Sequence, residues 1–162
     1  MVEFTTLILT FNERENIGRT IAALSWAKQI VIIDSFSTDE ATEIAKALHA
    51  NITAVQRRFD THATQWNFGL AQIRTRWVLT LDADYELSRE LSSEIAELKP
   101  SDEVSAYEAG FQIQILGGNL RFRVSATPDL VSNGTLHLLR RRPHLEIGDR
   151  RFNATSLRCR LS

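Results

Sequence analysis

Four short apolar, β-prone runs alternate with stretches of helical periodicity through the first hundred residues, and this alternation constrains the fold more than any other feature of the chain. Thr5 to Thr10 (TTLILT) is the first run, and behind it Ile17, Ile21 and Leu24 recur at i, i+4 and i+7, one apolar stripe on a helix. Ile30 to Ile33 (IVII) is continuously apolar and β-branched, the pattern of a strand covered on both faces. Ala41, Ile44, Ala45 and Leu48 supply a second helical face, and Ile52 to Val55 a third short strand. Trp66, Leu70 and Ile73 form a stripe within residues 62–73, and Trp77 to Leu81 is the fourth strand. A last helix over Ser88 to Leu98, apolar at Leu91, Ile95 and Leu98, is stopped by Pro100. Strand and helix in this order predict an α/β domain with a mainly parallel sheet, flanked by helices through right-handed crossovers.

Local signals mark the boundaries. Asn12 with Glu15, and Ser37 with Glu40, have the spacing of capping boxes. Beyond residue 100 the period changes. Tyr107, Ala109, Phe111, Ile113 and Ile115 alternate with mostly polar neighbours, as one half-buried strand, and Gly117-Gly118-Asn119 reads as a turn. From Arg121 onward come nine arginines and no lysine against only Asp129, Glu146 and Asp149, a balance of +6 that leaves −7 on residues 1–120. The division expected is therefore 1–120 as the patterned domain and 121–162 as a poorly patterned, arginine-rich tail open to disorder.

Charge and composition narrow the function. A net charge of −1 excludes a nucleic-acid binder driven by bulk phosphate neutralisation. One cysteine, Cys159, permits no internal disulfide and suits a reducing compartment. The opening MVEFTTLILTF, a short apolar run followed at once by polar residues, is not expected to act as a secretory leader, and no apolar stretch approaches the roughly 20 residues of a membrane span. Asn51, Asn133 and Asn153 begin N-x-[ST] triplets, which without a leader are read as chance. There is no GxGxxG, no GxxxxGK[ST] and no Cys/His metal spacing, so dinucleotide and P-loop chemistry lose their main support.

In sheets of this kind ligands bind at the carboxyl ends of the strands. Asn12 and Glu13 follow the first strand, Asp34 the second, and Asp82 and Asp84 the fourth. Two carboxylates about 6 Å apart repel by about 0.7 kcal/mol in water but nearly 3 kcal/mol at an effective dielectric of about 20. Asp82 and Asp84 are thus either the start of a solvated turn or the ligands of a hard divalent cation, Mg²⁺ or Mn²⁺, which takes one or two carboxylates plus substrate phosphates. Asp34 stands ahead of a helix cap made by Ser37 or Thr38 and is expected to be free for a ligand. Phe11 is either core or a platform for a flat base. His62 is a lone histidine with no nucleophile to serve, and Arg140 to Arg142 either grip phosphate or form a solvated face.

Four segments, LILTFNERENI, VIIDSFSTDEATEIA, RFDTHATQWNFGLA and WVLTLDADYELS, cover about residues 5–98 in series. Together they resemble the family 2 glycosyltransferases, nucleotide-sugar enzymes with the GT-A fold, and within them the bacterial lipopolysaccharide-core β-glucosyltransferase branch. The resemblance implies a substrate-binding set of Thr10, Phe11, Glu13, Asp34 and Asp82, with Phe11 near the nucleobase, Glu13 near the ribose and Asp34 on the nucleoside. It implies that Asp82 and Asp84 coordinate Mg²⁺ or Mn²⁺ and the sugar diphosphate. It implies an inverting transfer of a sugar, glucose first among the candidates, from a uridine-diphosphate donor to a lipopolysaccharide-type or other glycan acceptor, lipid-linked among them, in the cytoplasm with peripheral contact at the inner membrane. Ser35 replaces the second acid common in the wider family, and Trp66 stands where many relatives carry a basic residue. The pattern fades after about Arg121, as in a truncated or frameshifted gene, and leaves Glu146 and Asp149 as catalytic bases only by default. The rival readings are a donor-binding fragment without turnover and a nucleotidyltransferase, the latter disfavoured because no glycine-rich loop follows the first strand.

Overall fold

The four apolar runs become four neighbouring parallel strands. The computed structural model describes residues 3–99, 106–109, 112–115, 118–121, 136–140 and 154–156. In chain order these give β1 (Phe4–Thr10), α1 (Arg14–Ala22), β2 (Ile30–Asp34), α2 (Ala41–Leu48), β3 (Ile52–Gln56), α3 (His62–Ala71), β4 (Trp77–Asp82) and α4 (Arg89–Glu97). Short strands follow: β5 (Ala106–Ala109), β6 (Gln112–Ile115), β7 (Gly118–Arg121), β8 (Leu136–Arg140) and β9 (Ala154–Ser156). The main sheet runs β3-β2-β1-β4-β8-β5-β9, with the first four parallel and β8 antiparallel to both β4 and β5. No helix among the described residues is long and apolar enough to cross a membrane.

Side chains alternate across the sheet and fill both faces. Ile8, Ile30, Ile32, Trp77, Leu79 and Leu81 meet Ile17 and Ile21 of α1, Ala41 and Ala45 of α2, and Leu91 and Ile95 of α4. Leu7, Leu9, Val31, Ile33 and Val78 face the other way, onto Leu70 of α3 and Ile73 just past it. Burial on two sides is why these strands read as unbroken apolar runs. Trp66 is partly buried against this second cluster and does apolar packing there. Leu48, expected on the inner face of α2, is instead exposed at the helix's last turn.

Two corrections concern the second half of the chain. The single strand expected over residues 107–115 is divided: β5 belongs to the main sheet, while among the described residues β6 pairs with β7 alone, antiparallel, in a separate ribbon. Gly118 and Asn119, expected in a turn, are in β7, and the turn's remaining residue, Gly117, lies outside the described residues. The segment read as a separate tail also supplies β8, which stands between β4 and β5, and β9 at the sheet's end. LHLLR is too short and too close to arginines to announce a strand by period, and its pairing partners lie far away in sequence.

The helix starts correct two more expectations. Asn12 does not cap α1. Its backbone is left-handed, φ 54°, whereas a capping residue is extended. Ser37 does not cap α2: its hydroxyl donates to Asp34 and accepts from Asn12 N instead. Asp39 serves both helices instead, its two oxygens accepting from Arg14 N at 2.9 Å and Ala41 N at 3.1 Å. The expected start of α4 holds, with Ser88 Oγ accepting from Leu91 N at 3.1 Å.

Gly69 lets α3 approach the sheet closely: a Cβ there would stand 2.6 and 2.8 Å from the Leu7 methyls and 3.1 Å from Ile33 Cγ1. Gly69→Ala is therefore expected to lower stability by about 1–3 kcal/mol through overpacking, despite alanine's better helix propensity. Urea denaturation checks it; an unchanged or raised midpoint would contradict the packing account.

Candidate functional site

β4 ends in a turn whose middle residue is pinned inward. Alternation places Leu81 and Ala83 on the α1 face, where Ala83 is buried. Its N–H donates to Leu9 O at 3.1 Å, extending the β1–β4 ladder one step past the strand. Its carbonyl accepts from the buried Thr20 hydroxyl of α1 at 2.7 Å. Tyr85 N donates to Asp82 O at 3.1 Å and closes the turn. With Ala83 held, Asp82 falls on the opposite face, half-buried, and Asp84 is exposed.

The charges there are compensated only in part. Burial first, and then the Asp84 carboxylate, push the Asp82 carboxyl above its ordinary range, with Glu13 adding to the rise. The nearby His62 and a hydrogen bond from the Tyr85 hydroxyl oppose it. Tyr85 itself is raised well above the usual phenol value, by burial and then by the two aspartates. Asp82, Asp84, Glu13, His62 and Tyr85 therefore share one locality at the carboxyl edge. Among the described residues no three acids or histidines converge as a cation cage. Two hard carboxylate ligands on a fixed turn, in mutual repulsion, nonetheless fit Mg²⁺ or Mn²⁺, whose remaining positions go to water and phosphate oxygens.

The adjoining β1 and β2 loops are laced together. Thr10 pairs with Asp34, and Ser35 N donates to Thr10 O at 2.9 Å. Asn12 N donates to Ser37 Oγ at 2.9 Å, and Asn12 Oδ1 accepts from Thr38 N at 2.8 Å. Asp34 is not the free acceptor expected. It is 1% exposed and accepts from Ser37 N at 3.1 Å, Ser37 Oγ at 2.5 Å and Gln56 Nε2 at 3.0 Å. Its carboxylate organises the loop, because a buried acid at a strand end takes the nearest donors. The buried Gln65 of α3 ties in Ser35 Oγ at 2.9 Å and Arg57 O at 3.2 Å.

Phe11 resolves toward the surface, 57% exposed. Glu13 stands at the start of α1, accepting from Asn16 Nδ2 at 2.7 Å. Thr10 is buried, and its hydroxyl has no partner among the described residues. The fold thus gathers all six sequence-derived residues at one sheet edge. His62, Tyr85 and Thr20 were missed. His62 read as solitary because its neighbourhood is set by strand order, and only its place as the first residue of α3 could have signalled it. Glu146, Asp149, Arg141 and Arg142 lie outside the described residues. A cavity of about 480 Å³ sits at the opposite, amino edge of the strands, lined by Phe4, Gln29, Asn51, Ile52 and Thr75, none of them from this set.

The family model described as Glycosyl transferase family 2 matches residues 5–157. That span runs past Arg121, where the family-like pattern is expected to fade, whereas the curated relatives align over 115 to 117 residues. An uncharacterized glycosyltransferase of Rickettsia typhi is 33% identical over 117 residues, 72% of this chain and 39% of that protein. A lipopolysaccharide core biosynthesis glycosyltransferase, LpsC of Rhizobium meliloti, is 28% identical over 70% of this chain and 43% of its own length. Among solved structures, a mannosyltransferase from Pyrobaculum calidifontis in complex with GDP-Man and Mn²⁺ aligns at TM-score 0.62 and 18% identity, over 86% of this chain and 44% of that one. TarS of S. aureus in complex with UDP-GlcNAc aligns at 0.60 and 17%, over 81% and 39%. The architecture is that of the GT-A glycosyltransferases, and the chain spans about 40% of the length of the curated relatives it matches.

Two predictions follow from this geometry. Thr20→Val keeps shape but strands the buried Ala83 carbonyl, and is expected to cost about 1–3 kcal/mol in urea denaturation and to speed amide exchange at residues 83–85. Unchanged stability would show that the turn does not depend on Thr20. The Arg57 guanidinium beside Asp60, aided by Thr64 and Thr61 N, holds the Asp60 carboxyl well below the usual range. Such a contribution is present above the unfolded carboxylate value and is lost as pH falls through the lower folded one. The stability difference between wild type and Asp60→Asn should accordingly be constant near neutrality and shrink only in strong acid, small throughout because the pair is exposed.

Proposed function

This chain belongs to glycosyl transferase family 2, and on that basis we propose that it binds a nucleotide-sugar donor at the carboxyl edge of β1, β2 and β4 and serves transfer of the sugar to a glycan acceptor. One observation carries the reading: two carboxylates on a turn that Thr20 and Leu9 hold rigid, close enough for Asp84 to raise Asp82. A ligand bringing phosphate and a divalent ion relieves that repulsion. Asp82 and Asp84 would hold Mg²⁺ or Mn²⁺, which supplies positive charge to the departing diphosphate. Phe11 offers a ring to the nucleobase, Glu13 an acceptor to the ribose, and Asp34 shapes the loop beneath the nucleoside. Thr10, with its unpartnered hydroxyl, completes the floor.

In the inverting transfer proposed, a carboxylate base takes the proton of an acceptor hydroxyl as its oxygen bonds to the anomeric carbon. The bond from that carbon to the diphosphate oxygen breaks, and the electron pair leaves with the diphosphate. A uridine-diphosphate donor, glucose as the sugar and a lipopolysaccharide-core acceptor are the finer reading, supported by the relative named for lipopolysaccharide core biosynthesis. A cytoplasmic setting with contact at the inner-membrane surface accords with a lipid-linked acceptor. The second reading is donor binding without turnover. It is favoured by the placement of Glu13, Asp34, Asp82 and Asp84, all assigned to the donor and none to the acceptor.

Calorimetric titration with uridine diphosphate, with and without Mn²⁺, tests the donor site. Binding is expected to require the metal and to weaken at least about tenfold, roughly 1.4 kcal/mol, in Asp84→Ala. Metal-independent binding untouched by the substitution would sink the central claim. Turnover of a uridine-diphosphate sugar then separates enzyme from binding protein.

A further inference from the structure

Phe36 is an aromatic residue held where glycine would be at ease. Its φ is 62°, in the left-handed region that bulky L-residues avoid, and its side chain is 53% exposed. An exposed ring gains little by burial, so the fold has no evident stability reason to retain a phenylalanine there. Strained backbone of this kind persists where its surroundings over-determine it, often where a side chain has to be presented.

The surroundings are specific. Thr10 O accepts from Ser35 N at one end, and Asn12 N donates to Ser37 Oγ at the other. Phe11 is thus the middle of a three-residue segment whose ends are bonded to the ends of a second, and Phe36 is the middle of that second segment. Asp34 fixes Ser37 through both N–H and hydroxyl, and Gln65 fixes Ser35. Every neighbour is tied down, and the two phenylalanines are left projecting from adjacent loops, each more than half exposed. Two flat apolar surfaces beside a site for a charged diphosphate suit the other end of a nucleotide, since any nucleobase has a π-face to stack.

We infer that Phe36 is a second nucleobase contact alongside Phe11, and that Asp34 is the positioning residue whose bonds to Ser37 hold the Phe36 backbone left-handed. This rests on the donor reading above. It also gives the base contact a character, stacking more than edge recognition, because Asp34 is already committed within the loop and Ser35 Oγ already accepts from Gln65.

The test uses uridine diphosphate and inorganic pyrophosphate, each with Mn²⁺, titrated into wild type, Phe36→Gly, Phe36→Tyr and Asp84→Ala. Phe36→Gly is expected to melt no lower than wild type, since glycine relieves the strain. It should bind uridine diphosphate about tenfold more weakly and pyrophosphate as wild type does, while Phe36→Tyr keeps wild-type affinity for both. The inference is overturned if Phe36→Gly binds uridine diphosphate normally while Asp84→Ala does not, an outcome that leaves the donor site standing. Loss of pyrophosphate binding in Phe36→Gly, or a tyrosine variant as weak as glycine, also overturns it by making the loop rather than the ring responsible. Wild type binding neither probe removes the donor reading and this inference together.

Discussion

The carbonyls of Leu9 and Thr10 are the last acceptors on the central strand, and each takes a donor from the loop beside it, Ala83 on one side and Ser35 on the other. Everything at the carboxyl edge is indexed from those two bonds. They set the height of the aspartate turn and of the Phe36 loop on the same strand, so the two cannot drift apart without breaking ladder positions. Parallel strands buried on both faces make such an index rigid, because a shift of one residue would turn Leu7, Leu9 and their neighbours to the wrong layer. The site's accuracy is borrowed from the core beneath it.

That dependence explains what could be read from the chain directly. Continuous apolar runs at Ile30–Ile33 and Trp77–Leu81 announce two-sided burial, and the acids at their ends mark the carboxyl edge proposed as the donor site. Elements and their order follow from short-range pattern. What did not follow were bonds between residues distant in sequence. Asn12 and Ser37 have the right spacing to cap their own helices, yet each bonds across to the other's loop, 25 or more residues away. Local propensity lost to tertiary geometry there. β8 failed for a related reason: five residues hold no period, and their pairing with β4 spans more than fifty positions of chain.

The electrostatics of the edge fit a division of labour among its acids. Asp34 spends its oxygens on Ser37 and Gln56 and is structural in its contacts. Asp82 and Asp84 are held by backbone anchors instead, and their charges meet each other. Identical side chains at equivalent strand ends thus do different things, one bonded within its own loop and one pair set in mutual repulsion. Membership of glycosyl transferase family 2 agrees with the donor site proposed for that pair.

Asp39 carries a consequence for how this protein comes into being. Its carboxylate serves the first turns of α1 and α2 together, accepting from Arg14 N and Ala41 N. As the chain is synthesised, α1 emerges long before the acid that completes its amino end, and a nine-residue helix is marginal by itself in water. The amino end of the first helix is therefore completed only once the chain has reached the second crossover, and loss of the Asp39 carboxylate would leave the amino ends of both helices short of an acceptor together.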